Sequence, residues 1–305
     1  MKYILFKLFI LIIILYIVFT FFNTVENFED KFDDYEKYEE IYDPEFVNLY
    51  EIIYRDFSDI DYDTNIFYEK CFFDGKFKDD DISIMVGGSG IGKLCKKIKE
   101  KHKNIIGVDI SENILKKSQT LYPNVKFIRG DLTKNKIFNK NKFSHIYIDE
   151  RTLYYNKYKD IEKIIINSLN WLKPEGYLIV QIYDPDKLQL ACRYYTSKYM
   201  DNKGNIHGFT YLNDFSHDCY YIKDEENKEI FHYYDKVIFD TGEKRIKKTI
   251  FYIPPKEKIY DLILNNGFDL VHIEKIRIQI VGGYELAIFI KKKQITSVEQ
   301  LEKLK

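Results

Sequence analysis

Apolar positions along the chain fall into blocks whose spacing switches between two residues and about 3.6 residues. Ile82, Ile84 and Val86 alternate, as a strand with one buried face does. Ile91, Leu94, Cys95 and Ile98 then recur at i, i+3, i+4 and i+7, a helix stripe. The exchange repeats downstream. Ile105 to Val108 reads as a strand, Ile114 and Leu115 as part of a helix that Ser111 is placed to cap, and Val125 to Ile128 as a third strand. Phe143 to Ile148 reads as a fourth strand, Ile161, Ile164, Ile165, Leu169 and Leu172 as a core-facing helix stripe, and Tyr177 to Tyr183 as a fifth strand. Strands alternating with helices predict a mostly parallel sheet covered on both faces.

Beyond Met200 the rhythm changes. Gly208 to Leu212, Cys219 to Ile222, Ile230 to Phe239 and Arg245 to Ile253 are strand-like runs between turn signals, which suggests antiparallel hairpins. Residues 200–253 therefore read as a β-rich insertion before the last helix, lying as a cap over the substrate face. Pro254 and Pro255 introduce that helix, which carries Ile259, Leu262 and Ile263 and stops at Gly267. Phe268 to Ile276 and Tyr284 to Ile290 read as two closing strands, and residues 291–305 as a polar tail.

The start of the chain has its own pattern. Tyr3 to Phe22 is apolar except for Lys7 and Thr20, just long enough to span a bilayer. No small residues follow to offer a signal-peptide cleavage site, so residues 1–23 read as an uncleaved transmembrane anchor. The side of the membrane stays open, because so few lysines flank the stretch. Residues 24–41 are acid-rich and read as a solvated linker. Phe46, Leu49, Tyr50, Ile53, Tyr54 and Phe57 then follow helix spacing, opening a domain over residues 42–290.

Candidate chemistry gathers where the first strand meets its helix. Gly87, Gly88, Ser89, Gly90 and Gly92 lie on that turn, where glycine permits positive φ and lets a ligand approach the backbone. The second strand ends on Asp109 and Ile110, about 20 residues on, where an acid accepts both hydroxyls of a ribose. The third ends near Asp131 and Leu132. Two acids at the carboxyl ends of adjacent parallel strands, beside a glycine turn, describe a nucleoside site. The fourth strand ends in Asp149, Glu150 and Arg151, with Tyr154 and Tyr155 behind. Asp149 and Tyr154 are the catalytic candidates there.

These residues resemble the motifs of class I methyltransferases that depend on S-adenosylmethionine. The glycine turn resembles the first motif, Asp109 in GVDIS the ribose acid, Asp131 in FIRGDL the adenine-side acid, and LNWLKPEGYLIV (Leu169 to Val180) the helix, turn and fifth strand. The resemblance implies a Rossmann-like three-layer α/β sandwich with a seven-stranded, mostly parallel sheet, and S-adenosyl-L-methionine as cofactor. It implies methyl transfer to an O, N or C acceptor, with the glycine turn at the methionine end. One position departs: the family's first-strand acid is replaced by Ile84 or Val86, depending on register. That departure motivates an alternative, a membrane-anchored scaffold with weak cofactor binding. Gly87 to Lys93 also fits the phosphate loop of a nucleotidase, but Leu94 stands where that motif needs Ser or Thr.

Composition narrows the partners. A net charge of −1 and a pI of about 6.6 give no basic bias, so no nucleic acid is expected. The four cysteines show no metal-ligand spacing, and a disulfide framework is not expected in a domain this large. His207, His217 and His232 fall in the insertion, where a lone histidine is ordinarily surface or satisfied core. An anchored, aromatic-rich, non-basic chain leans toward a small or lipid-like acceptor.

Overall fold

The computed structural model of the chain describes residues 33–34, 42–53, 65–66, 70, 76–148, 150–186, 197–200, 206–212, 214–278 and 282–293. The fold below lies within Asp34–Lys305. Among the described residues no helix is long and apolar enough to cross a membrane, and the stretch from Tyr3 to Phe22 lies outside them.

The alternating blocks become strands and helices in the expected order. Strand β1 (Ile84–Gly87) is buried along its whole length. It leads through the glycine turn to α2 (Lys93–Lys99), after α1 (Pro44–Ile53) has preceded it. Then come β2 (Ile105–Asp109), α3 (Glu112–Leu121), β3 (Lys126–Arg129), β4 (Phe143–Ile148), α4 (Tyr158–Trp171) and β5 (Leu172–Tyr183). Leu172 starts β5 rather than ending the helix stripe. Ser111 caps α3 as its position suggests, accepting from the Ile114 amide at 3.4 Å.

After the insertion, α5 (Lys256–Asn265) precedes β11 (Phe268–Ile278) and β12 (Gly282–Lys291). The seven-stranded sheet runs β11-β12-β5-β4-β1-β2-β3. The neighbours from β5 to β3 pair in parallel, and β12 is reversed against both β5 and β11. Strand order therefore turns back at β1, with β2 on one side and β4 on the other. In open α/β sheets that switch point is where a ligand crevice opens, beyond the carboxyl ends.

The insertion forms a second, antiparallel sheet of β6 (Ser197–Met200), β7 (Ile206–Leu212), β8 (Phe215–Lys223), β9 (Ile230–Phe239) and β10 (Lys244–Tyr252), in the order β10-β9-β8-β7-β6. Alternate residues of β9 (Phe231, Tyr233, Asp235 and Val237) are buried, so one face is turned inward. That face packs on the turn after β4, where the rings of Tyr155 and Phe251 are 4.6 Å apart. Cys219 is held in a disulfide whose other half lies outside the described residues, so one cross-link exists where the composition suggested none. Cys95 is buried and not disulfide-bonded.

Helix α1 packs against both the glycine turn and the second sheet, where Leu49 clusters with Phe215 and Val237. Asp43 begins it by accepting from the amides of Glu45 and Phe46 at 3.0 and 2.9 Å. Phe46 and Val47 pack with Tyr42 against Ile91 of the glycine turn and Ile114 of α3. Three elements thus converge on the carboxyl ends of the sheet: α1, the turn after β4 and the inner face of the second sheet.

Candidate active site

The glycine turn is held in one conformation by its neighbours. Gly88, Gly90 and Gly92 have φ of 68°, 52° and 86°, a region that L side chains rarely adopt. A Cβ on Gly88 would stand 1.8 Å from Thr152 Oγ1, so only glycine fits there. The Ser89 amide donates to Val108 of β2 at 2.9 Å, stitching the turn to the neighbouring strand. The Ser89 hydroxyl oxygen is buried and has no hydrogen-bond partner. A buried unpaired hydroxyl costs free energy unless something accepts from it or donates to it, so this one is open to a ligand or a water.

Asp109 closes on this turn from the end of β2. It is 2% exposed, and its carboxylate accepts from the amides of Gly90 and Ser111, each at 3.0 Å. Burial raises its pKa to about 6, against the lowering effect of those amides. A buried carboxylate beside the turn amides repels a phosphate, which argues against the phosphate-loop alternative. Asp131 accepts from the amide and hydroxyl of Thr133 at 2.9 and 2.7 Å, which orders its loop.

Two cavities meet here. The first is lined by Gly88, Ser89, Gly90 and Gly92, and by Tyr42, Tyr50, Glu150, Arg151, Thr152 and Tyr155. The second is lined by Asp109, Ile110, Asp131 and Leu132 with Thr152, Tyr155 and Asn156. Gly88, Thr152 and Tyr155 border both. The nucleoside motifs and the glycine turn therefore face one continuous crevice, although they are far apart in sequence. Gly87 faces neither cavity; a Cβ on it would stand 2.8 Å from Leu132, so it is a packing position.

The two catalytic candidates fare differently. Asp149 lies outside the described residues. Tyr154 is fully buried, its hydroxyl donating to the Gln181 carbonyl at 3.1 Å and accepting from the Tyr183 amide at 3.0 Å. Burial drives its pKa far above the usual tyrosine range. It lines neither cavity, and its hydroxyl is committed to the backbone of β5. Tyr155 is the tyrosine that faces the crevice, and burial raises its pKa too, against the lowering effect of Arg151.

Glu150, Arg151 and Thr152 join Tyr155 on the crevice wall. Glu150 has φ of 40°, an uncommon conformation for a residue with a side chain. The pairing of Gly87 with Ile148 brings the end of β4 alongside the glycine turn. Ile84 and Val86, the two candidates for the first-strand acid position, are both fully buried in β1. The Arg151 guanidinium donates to the Tyr221 hydroxyl at 2.8 Å and lies over the rings of Tyr233 and Phe251 at 5.5 and 5.4 Å. It pins the second sheet to the crevice.

Residues 84–176 match a family model described as a methyltransferase domain. That match covers less than a third of the chain, and over it the chain is similar to methyltransferase domains. Curated relatives include phosphoethanolamine N-methyltransferase 3 of Arabidopsis thaliana, 27% identical over 99 residues that make up 32% of this chain. Phosphoethanolamine N-methyltransferase 1 of Triticum aestivum is 24% identical over 98 residues. The aligned segment spans 20% of the length of each of these relatives.

Solved structures agree on the fold. An S-adenosylmethionine-dependent methyltransferase from Clostridium acetobutylicum superposes with a TM-score of 0.62 at 15% identity, covering 82% of this chain and 98% of that one. A SAM-bound amino pentose methyltransferase from Micromonospora echinaspora gives 0.60 at 11% identity, covering 80% and 97%. The residues present fit the cofactor of this family: an unpaired Ser89 hydroxyl in the glycine cradle and a carboxylate at the end of β2.

Proposed function

We propose that this chain transfers a methyl group from S-adenosylmethionine to a small-molecule acceptor. The observation that carries the reading is the buried, unpaired Ser89 hydroxyl in a glycine turn that Asp109 closes from the neighbouring strand. The bound cofactor supplies a methyl group on an already activated sulfonium, so positioning does much of the catalytic work. The glycine turn, with the Ser89 hydroxyl, holds the methionine end. Glu150 takes the place of the first-strand acid and accepts the methionine ammonium. Asp109 accepts the ribose hydroxyls, while Asp131, Ile110 and Leu132 border the adenine. Tyr155 stands between the cofactor crevice and the second sheet, which caps the acceptor side.

Calorimetry on the full chain with S-adenosylhomocysteine and with ATP tests this reading. Saturable binding of the first alone is expected, and binding of ATP alone would overturn it. A second reading, a scaffold with the same fold, is favoured by Ile84 or Val86 at the acid position, and a folded chain that binds neither ligand would support it. The same proposal includes a membrane anchor at Tyr3 to Phe22, resting on the apolar run in the sequence. It tethers the domain to one membrane face, and the acceptor leans toward small or lipid-like molecules.

A further inference from the structure

The cofactor crevice does not account for a third cavity, lying between α1, the turn after β4 and the inner face of the second sheet. Tyr42, Tyr50, Arg151 and Tyr155 border both this cavity and the one at the glycine turn. The wall that faces away from the cofactor carries Tyr233, Asp235 and Lys247. It is thus a chamber of rings and charged side chains that shares a wall with the cavity at the glycine turn.

Its charges are unevenly engaged. Lys247 is 2% exposed by side chain and donates to Asp43 at 3.1 Å, with its ammonium 3.7 Å from the centre of the Phe46 ring. Arg151 is held by Tyr221 and two rings, as described above. Asp235 is 5% exposed, and His217, fully buried behind it, bonds its Oδ1 at 2.5 Å. Among the described residues Asp235 Oδ2 makes no hydrogen bond, and Asp235 is one of the residues lining the chamber. A buried carboxylate is retained at a cost unless it is paired. His217 meets part of that need by a hydrogen bond and the Lys247 ammonium part of it through space, and Asp235 also borders the chamber.

We infer that this chamber is the acceptor subsite and that it takes a small amine, with Asp235 as the residue that binds the nitrogen and His217 as the residue that positions Asp235. The inference rests on the methyltransferase reading given above. Rings around a single carboxylate suit a nitrogen that gains positive charge during transfer, because both the ring faces and the carboxylate stabilise a cation. In the step itself the bound ammonium first gives one proton to water; the freed nitrogen lone pair then forms the N–CH3 bond as the C–S bond breaks, and that bonding pair stays on sulfur. The product ammonium then gives up one proton to water.

The test uses the full chain, saturated with S-adenosylhomocysteine, titrated with 2-aminoethanol and with ethylene glycol as its uncharged counterpart. The wild type is expected to bind the amine about tenfold or more tightly than the diol, the scale of a hydrogen bond to a charged group. Asp235→Asn should lose that preference and keep its S-adenosylhomocysteine affinity within about twofold. His217→Leu should weaken the preference in the same way, and His217→Gln, which can still donate to Asp235, should restore it. Equal binding of the two probes by the wild type overturns the proposal without need of any variant, as does an Asp235→Asn chain that still prefers the amine. A wild-type chain that fails to bind S-adenosylhomocysteine overturns the methyltransferase reading and the subsite with it.

Discussion

Asp109 Oδ2 accepts a hydrogen bond from the amide of Gly90 at 3.0 Å, although the two residues sit on separate strand ends of the sheet. The bond ties a buried carboxylate to the glycine turn, and burial raises its pKa from 3.8 to about 6. The charged form is therefore held at a cost in the free protein. A ribose whose hydroxyls donate to it would relieve that cost and pull its pKa down. Affinity for S-adenosylhomocysteine should rise as pH increases through about 6, with proton release on binding in that range. Asp109→Asn should flatten the pH profile and weaken binding by roughly tenfold or more. Isothermal titration in two buffers of different ionisation enthalpy measures both effects.

The same shift has a consequence for stability with a fixed sign. The folded state holds the Asp109 proton more tightly than the unfolded chain, so this group's stabilising contribution is fully present below pH 3.8 and is lost as pH rises through about 6. A shift of about two units corresponds to about 3 kcal/mol, an order-of-magnitude figure for a buried group. Urea unfolding of the ligand-free protein at several pH values should show this component in the wild type and not in Asp109→Asn. An identical pH dependence in both would assign the slope to other groups.

Tyr154 and Tyr155 separate packing from function. Tyr154→Phe removes the hydroxyl that joins the Gln181 carbonyl and the Tyr183 amide, and should cost about 1–3 kcal/mol of stability. Its affinity for S-adenosylhomocysteine should stay within about twofold. Tyr155→Ala opens the wall shared by all three cavities and should lower that affinity at a smaller cost in stability. Thermal melts with and without ligand distinguish the pair.

A further prediction concerns Asp43, which caps α1 and is the carboxylate partner of Lys247 and Arg245. Burial lowers the Lys247 pKa to about 8, and Asp43 is what offsets that burial. Asp43→Ala removes a cap, worth about 1 kcal/mol, and leaves a buried ammonium without its main partner. Breaking one side of a buried pair typically costs about 3–5 kcal/mol; Asp43 is a third exposed by side chain, so a total near 2–4 kcal/mol is expected. Denaturation midpoints of Asp43→Ala, and of Asp43→Ala with Lys247→Met, measure it, and the double variant should recover part of the loss.

Much of the scaffold was legible because its signals are local. The alternation in Ile82 to Val86, the stripe from Ile91 to Ile98 and the acids at Asp109 and Asp131 each lie within a few residues of the backbone feature they report. The acceptor side was less so, for physical reasons. Thr152–Tyr155 is a single 3-10 turn, and consecutive side chains on such a turn point about a third of a circle apart, so no period tells Tyr154 from Tyr155. Lys247 reads as a polar residue on a hairpin, and it is buried only because Asp43, 204 residues earlier, reaches it. His217 and Asp235 meet diagonally across β8 and β9, a pairing set by strand register.

Glu150 carries the last prediction, because the proposed function places the methionine ammonium beside a first strand whose residues Ile84 to Gly87 include no carboxylate. Val86 lies in β1, and Glu150 lies in the turn after β4, the strand that pairs with β1 in parallel, so a carboxylate absent from β1 has a counterpart on the neighbouring turn. If Glu150 accepts the ammonium, its effect must depend on the amino acid part of the ligand. Glu150→Gln should weaken S-adenosylhomocysteine binding by roughly tenfold, as removal of one charged hydrogen-bond partner does. It should leave 5′-methylthioadenosine, which keeps the nucleoside and lacks the amino acid, within about twofold of the wild type. Equal losses for both ligands would mean that Glu150 shapes the turn rather than binding the ammonium, since its φ of 40° makes a backbone contribution the natural competitor. Loss for neither would return the methionine end to Ser89 and the turn amides alone.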